Sequence, residues 1–242
     1  MWLVTVLFGI YPYIALAVFI VGHVWRWKYD QFGWTTRTSE LMEKRWLAWG
    51  SPLFHFGLLF VLAGHLMGLL IPASAMRVVG VTDEMYHVFA LGAGILAGMV
   101  LVAGIVILIL RRFVTKSRLR LVTRRADVVM YVLVAIVIAG GMSSTIGINL
   151  ITGGFDYRST ISVWVRSLIT FQPNLSVMTA IPWIYELHLT AAMTLFAVWP
   201  FTRLVHLWSI PLGYLTRPPI VYHTPARKPA TSRPEAGTPP QR

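Results

Sequence analysis

The sequence predicts an all-α fold: a polytopic membrane bundle of five transmembrane helices, N-terminus outside and C-terminus cytoplasmic. Three observations predict it. First, 56% of the 242 residues are hydrophobic and only 12% are Asp, Glu, Lys or Arg, against about 25% charged in an ordinary soluble domain; mean hydropathy is +0.66. Second, the apolar residues gather in five runs of roughly 20 or more, the length that crosses a hydrocarbon core of about 30 Å. Third, Lys and Arg gather in alternate loops between those runs. Ten Trp and nine Tyr supply aromatic belts at the two surfaces.

The spans fall at about 3–24, 47–71, 86–110, 127–149 and 182–209. MWLVTVLFGIYPY at the start lacks a basic leader region and a small-residue cleavage site, so it reads as a retained first span. Loop 25–46 then carries five basic residues: Arg26, Lys28, Arg37, Lys44 and Arg45. After span two, loop 72–85 has only Arg77. Span three leads into seven basic residues from Arg111 to Arg125, whereas loop 150–181 after span four has only Arg158 and Arg166. Six follow from Arg203 onward. Basic loops stay inside, which sets the orientation. The net charge of +12 is therefore explained by topology and anionic lipid, and not by nucleic acid.

Residues 1–216 form the transmembrane domain. The tail 217–242 is basic and holds seven of the fourteen prolines, so it is disordered or extended along a partner. Within the outer loop, 157–171 mixes apolar and polar residues at near-helical spacing, as an amphipathic helix on the outer surface does. No internal repeat marks a transporter built from inverted halves. Cysteine is absent, which excludes disulfides, thiolate zinc sites and protein-ligated iron–sulfur clusters within this chain.

Of seven histidines, His223 is in the tail, and His23 and His87 sit near span ends. The other four lie inside spans: His55 and His65 in span two, His188 and His206 in span five. Any one of them taken alone reads equally well as a helix–helix hydrogen bond. Four on two helices read as a functional set, because intramembrane ionisable residues are costly and neutral imidazole is a common metal and haem ligand. Spans two and five run antiparallel, so His55 meets His206 near the inner side and His65 meets His188 near the outer side. At about 1.5 Å per residue the histidines are about 15 Å apart on span two and about 27 Å apart on span five. That leaves room for two haems stacked across the bilayer, and it forbids convergence on a single metal ion. One feature fits poorly. His188 and His206 share a face, but His55 and His65 are about 80° apart around their helix.

Gly57, Gly64 and Gly68 flank the span-two histidines, and Ala191 and Ala192 follow His188. These small residues suit either a flat macrocycle or ordinary helix packing. Arg203, Arg111 and Arg112 are candidate partners of haem propionates or simple anchors of the inner surface. Glu186, near the outer face, is a candidate proton acceptor or a carboxylate reaching interfacial water.

GIYPYIALAVFIVG (9–22), LFHFGLLFVLAGHLMG (53–68), the basic loop after span three and LHLTAAMTLFAVWPFTRLVHLWSIPLGYLTR (187–217) together resemble the membrane cytochrome b, or gamma, subunit of respiratory nitrate reductase. The likeness covers residues 8–218 and is most specific in span five. It implies a di-haem b protein of the cell membrane serving anaerobic nitrate respiration. Such a subunit oxidises quinol, menaquinol or ubiquinol, at the outer face. Electrons then pass to an iron–sulfur beta subunit and a molybdenum-cofactor alpha subunit on the cytoplasmic side, where nitrate reduction itself takes place. The family's ligand pairs fall on His55–His206 for the inner haem and His65–His188 for the outer. Some relatives carry a lysine before span three; here TDEMYHVFA (82–90) has none, and His87 is the candidate proton acceptor in its place. The quinol site then lies around Gly64, His65, Tyr86, His87 and Glu186. Three alternatives stand beside this reading. One is the equivalent subunit of a sulfite- or disulfide-reducing complex. Another is a haem-free membrane anchor. The third is a proton or ion conductor, for which the spans offer little polar path beyond Glu186 and Asp127.

Overall fold

The computed structural model describes residues 2–30, 40, 42–115 and 117–207; the tail 217–242 and the last two residues of the fifth expected span lie outside them. Every regular element among the described residues is helical. Four helices are long and apolar enough to cross a membrane: α1 (Trp2–Tyr29), α2 (Arg45–Leu70), α4 (Asp83–Val114) and α6 (Arg125–Ile151). Shorter helices α3 (Ala73–Val78) and α5 (Ser117–Leu121) lie between them, and α7 (Ile161–Ile169) and α8 (Trp183–Val198) follow.

The fifth expected span is not one continuous α-helix. After α8 the chain makes two 3₁₀ turns, Trp199–Phe201 and Arg203–Leu207. Pro200 is the physical reason, because it cannot donate to the helix ladder and its ring clashes with the preceding turn. Thr202 between the turns is extended, at φ −115° and ψ −177°.

Packing rests on close backbone approach, as expected where lipid supplies no hydrophobic drive between helices. α2 lies along α4 through Gly50, Gly57 and Gly104. A Cβ on Gly57 would stand 2.6 Å from the backbone nitrogen of Leu101. Gly57 is thus a helix-packing residue. α6 packs on α8, and α8 on α1.

Proline shapes one end of the bundle too. Pro12 has no N–H to offer the carbonyl of Phe8 four residues back. That carbonyl instead accepts from the indole of Trp164 at 2.8 Å. Trp164 is fully buried and meets Phe8 edge to face at 5.7 Å. α7 is therefore amphipathic as expected, but its apolar side covers the ends of the bundle. Its polar side chains serve the terminal carbonyls of α2, with Ser162 donating to Leu69 at 2.9 Å and Arg166 donating to Leu69 at 3.1 Å.

At the other end, the chain before α2 is tied to α4 by a buried ion pair. The Arg111 Nε donates to Glu43 at 2.7 Å and a second guanidinium nitrogen donates to the Glu43 carbonyl at 2.7 Å. Burial works against ionisation of Glu43, but the Trp46 N–H and Arg111 outweigh it and hold its carboxyl below the usual range. Its folded pKa is lowered, so the pair contributes stability that is full above the unfolded value of 4.5 and is lost as pH falls through the folded value. Melting of the detergent-solubilised protein is expected to drop as pH falls below the unfolded value of 4.5, and Glu43→Gln is expected to flatten that part of the profile.

Candidate functional site

The structure brings the four intramembrane histidines together as two facing pairs. Nε2 of His55 lies 3.5 Å from Nε2 of His206, with ring centroids 5.8 Å apart and planes at 74°. His65 faces His188 with centroids 6.0 Å apart and planes at 25°. α2 and α8 are otherwise not close-packed on one another: α2 lies against α4 and α7, and α8 against α6 and α1. The imidazoles reach across the space that this leaves.

Their tautomers follow from their partners. Nδ1 of His55 bonds the Ser51 carbonyl at 2.7 Å, and Nδ1 of His65 bonds the Val61 carbonyl at 2.8 Å, each one helical turn back. Nδ1 of His188 bonds the Val137 carbonyl of α6 at 2.8 Å, and Nδ1 of His206 bonds the Arg203 carbonyl at 2.8 Å. A carbonyl only accepts, so every Nδ1 carries the proton and every Nε2 of a neutral ring presents a lone pair. Two lone pairs facing at 3.5 Å repel unless an electrophile lies between them. An imidazole nitrogen sits about 2.0–2.1 Å from a first-row metal ion, so two across one ion are about 4 Å apart; the His55–His206 pair is within about half an ångström of that. Fixing Nδ1–H on a carbonyl is also the usual way a protein sets the orientation of a ligating histidine.

The 80° offset on α2 is met on the opposite segment. His188 stands on α-helix, whereas His206 stands on a 3₁₀ turn beyond the break at Pro200 and Thr202. A 3₁₀ turn advances about 120° per residue instead of about 100°. His188 and His206 therefore no longer share one helical face, and each meets its own partner on α2.

Two supports were not foreseen from sequence. Gly140 and Gly141 of α6 let His188 lie against that helix; Cβ atoms there would stand 3.1 Å and 3.2 Å from it. A glycine pair in an apolar span is the sequence signal for such an approach. Asp127 is the second. Its carboxylate accepts from Arg203 Nε at 2.5 Å and from Arg112 at 3.0 Å. The three candidate propionate partners thus all bond protein carboxylates, Arg111 that of Glu43 and Arg112 and Arg203 that of Asp127.

The candidate quinol-site residues are less concentrated. Tyr86 is buried, with the Arg158 guanidinium 4.0 Å over its ring. Its hydroxyl meets that of Tyr157 at 3.3 Å and leaves no room for a side chain on Gly68. Gly64 is exposed, and a Cβ there would meet nothing within 4 Å. His87 is exposed and Glu186 half-buried. Among the described residues no hydrogen bond joins either of them to Tyr86.

The profile of the nitrate reductase gamma subunit matches residues 4–225. The chain belongs to the nitrate reductase gamma subunit family. Among its relatives is the nitrate reductase gamma chain of Bacillus subtilis, 45% identical over 217 residues, which are 90% of this chain and 96% of that one. Respiratory nitrate reductase 1 gamma chain of Escherichia coli is 35% identical over 211 residues, 87% of this chain and 92% of that one. A nitrate reductase-like protein of Mycobacterium tuberculosis, NarX, is 44% identical over 214 residues, but these are only 33% of its length. The gamma-subunit match takes in all four paired histidines.

Proposed function

We propose that this gamma-subunit chain is a di-haem cytochrome b that oxidises membrane quinol at the outer face, for a nitrate reductase whose iron–sulfur beta and molybdenum alpha subunits lie on the cytoplasmic side. The observation that carries the proposal is the two facing imidazole pairs, each with both Nδ1 atoms held on carbonyls and, between His55 and His206, the two Nε2 atoms 3.5 Å apart. Among the described residues no cluster of three or more His, Cys, Asp or Glu is placed to hold a metal ion. Each pair therefore offers two imidazole ligands, a donor set that fits haem iron. His55 and His206 would hold the inner haem, His65 and His188 the outer. Held between these imidazoles, haem would supply one-electron exchange.

The remaining roles belong to the chain itself. α8 has 16 residues, about 24 Å of helix, and the 3₁₀ turns extend it past the ~30 Å of a hydrocarbon core. It completes a fifth crossing, placing the N-terminus outside and the C-terminus in the cytoplasm of a multi-pass cell-membrane protein. Quinol, menaquinol or ubiquinol, enters from lipid beside Gly64, Tyr86 and His87. Its two protons leave on the outer side, with His87 or Glu186 as first acceptor, while its electrons move inward. The subunit thereby conserves energy as membrane potential.

The test is quinol-driven reduction of haem b in membranes carrying the whole complex, with reoxidation on adding nitrate. A chain that copurifies with its partners but shows no quinol-reducible b-type signal contradicts the proposal. Gly64→Ala probes the quinol face specifically. The methyl group meets no neighbour, and Ala favours helix by about 1 kcal/mol over Gly. The melting temperature is expected to hold or rise while the quinol-driven rate falls. Unchanged rate excludes Gly64 from the site.

A further inference from the structure

We infer that Asp127 is the positioning residue for the inner haem ligand His206, acting through Arg203; this rests on the haem reading above. The turn Arg203–Leu207 that carries His206 is only five residues long. It follows an extended Thr202, so α8 does not hold it in register. At its start the Thr202 hydroxyl donates to Trp199 at 2.9 Å and accepts from the Leu204 N–H at 3.3 Å. What fixes it lies on other helices. Asp127 takes Arg203 in a two-point grip, Nε at 2.5 Å and a terminal nitrogen at 3.0 Å. Val205, fully buried, is the second anchor.

Asp127 is itself rigidly held. It stands in the first turn of α6 and accepts the Arg124 N–H at 3.0 Å and the Arg112 guanidinium of α4 at 3.0 Å. Its side chain is only 4% exposed. One carboxylate thus joins α4, α6 and the turn. The link to the ligand is direct, because the carbonyl that accepts His206 Nδ1–H belongs to Arg203 itself. Moving Arg203 moves the acceptor that orients the imidazole. His188, by contrast, takes its orientation from the Val137 carbonyl and is independent of Asp127.

Asp127→Asn keeps the shape but sets an amide N–H₂ against a guanidinium, breaking the two-point grip. The expected result, in membranes carrying the whole complex, is confined to one haem. The low-spin ferric EPR line of the inner haem, which reports the angle between its axial imidazoles, shifts or broadens. Inner-haem affinity falls about 10-fold or more, as when a partner supporting a metal ligand is lost. The outer line stays in place as internal standard. Asp127→Glu, which restores the carboxylate, is expected to return the inner line toward its native position. Asp127→Asn with both lines native overturns the inference, as does equal loss of both lines together with the chain. Absence of haem b from the unmodified complex overturns the haem reading itself, and this inference with it.

Discussion

His206→Ala removes one haem b from the complex and leaves the other, and His65→Ala removes the opposite one. The expectation follows from the way the four imidazoles are divided. His206 faces His55 at 3.5 Å, and His65 faces His188 with centroids 6.0 Å apart. No histidine is shared between pairs, so each alanine leaves one pair whole. Quinol-driven nitrate reduction in either variant is expected to fall by more than about 100-fold, past the range seen when only a supporting hydrogen bond is lost. A low-potential soluble dye that reduces the partner subunits directly is expected to restore nitrate reduction in both. Reduced-minus-oxidised spectra and haem content read the first result, and dye-driven turnover reads the second. Loss of both haems from each variant contradicts the two-site arrangement.

Gly57→Leu is expected to cost both haems at once. Gly57 has no space on its α4 side: the backbone nitrogen of Leu101 lies 2.6 Å and its Cα 2.8 Å from where a Cβ would stand. Backbone atoms of a membrane helix do not step aside as a side-chain tip does. Overpacking a tight core costs about 1–3 kcal/mol, and a clash against backbone falls at or beyond the top of that range. α2 must move off α4, and α2 carries His55 and His65 together. Haem content, chain abundance and melting temperature are expected to fall in parallel. Gly64→Ala, about two turns further along the same helix where a Cβ would meet nothing within 4 Å, is the matched control, with melting expected to hold or rise.

The contrast between those two glycines shows what the sequence conceals. Gly57, Gly64 and Gly68 have the same local setting, yet Gly57 meets Leu101, Gly68 meets Tyr86 and Gly64 meets nothing. Only the neighbouring helix distinguishes them. The histidine pairing was legible because it needs only the direction of two spans and the distance along each. The resolution of the 80° offset was not, because it depends on how far Pro200 departs from helix and on where the chain resumes beyond it. The arginines illustrate a third limit. Arg111, Arg112 and Arg203 read as topology determinants or propionate partners. Their carboxylates are Glu43 and Asp127, separated from them by as many as 76 positions, and no local pattern pairs them. Helix α7 was legible as amphipathic. That its apolar side faces protein follows from Trp164 filling the place Pro12 leaves at the Phe8 carbonyl.

The central claim is that two imidazole pairs each hold one haem, and the most direct measurement is haem b per gamma chain in the purified, unmodified complex, with a redox titration of its spectrum. Two haems per chain, titrating as two separate components, is the result expected from the paired Nε2 atoms. One haem or none per chain contradicts it.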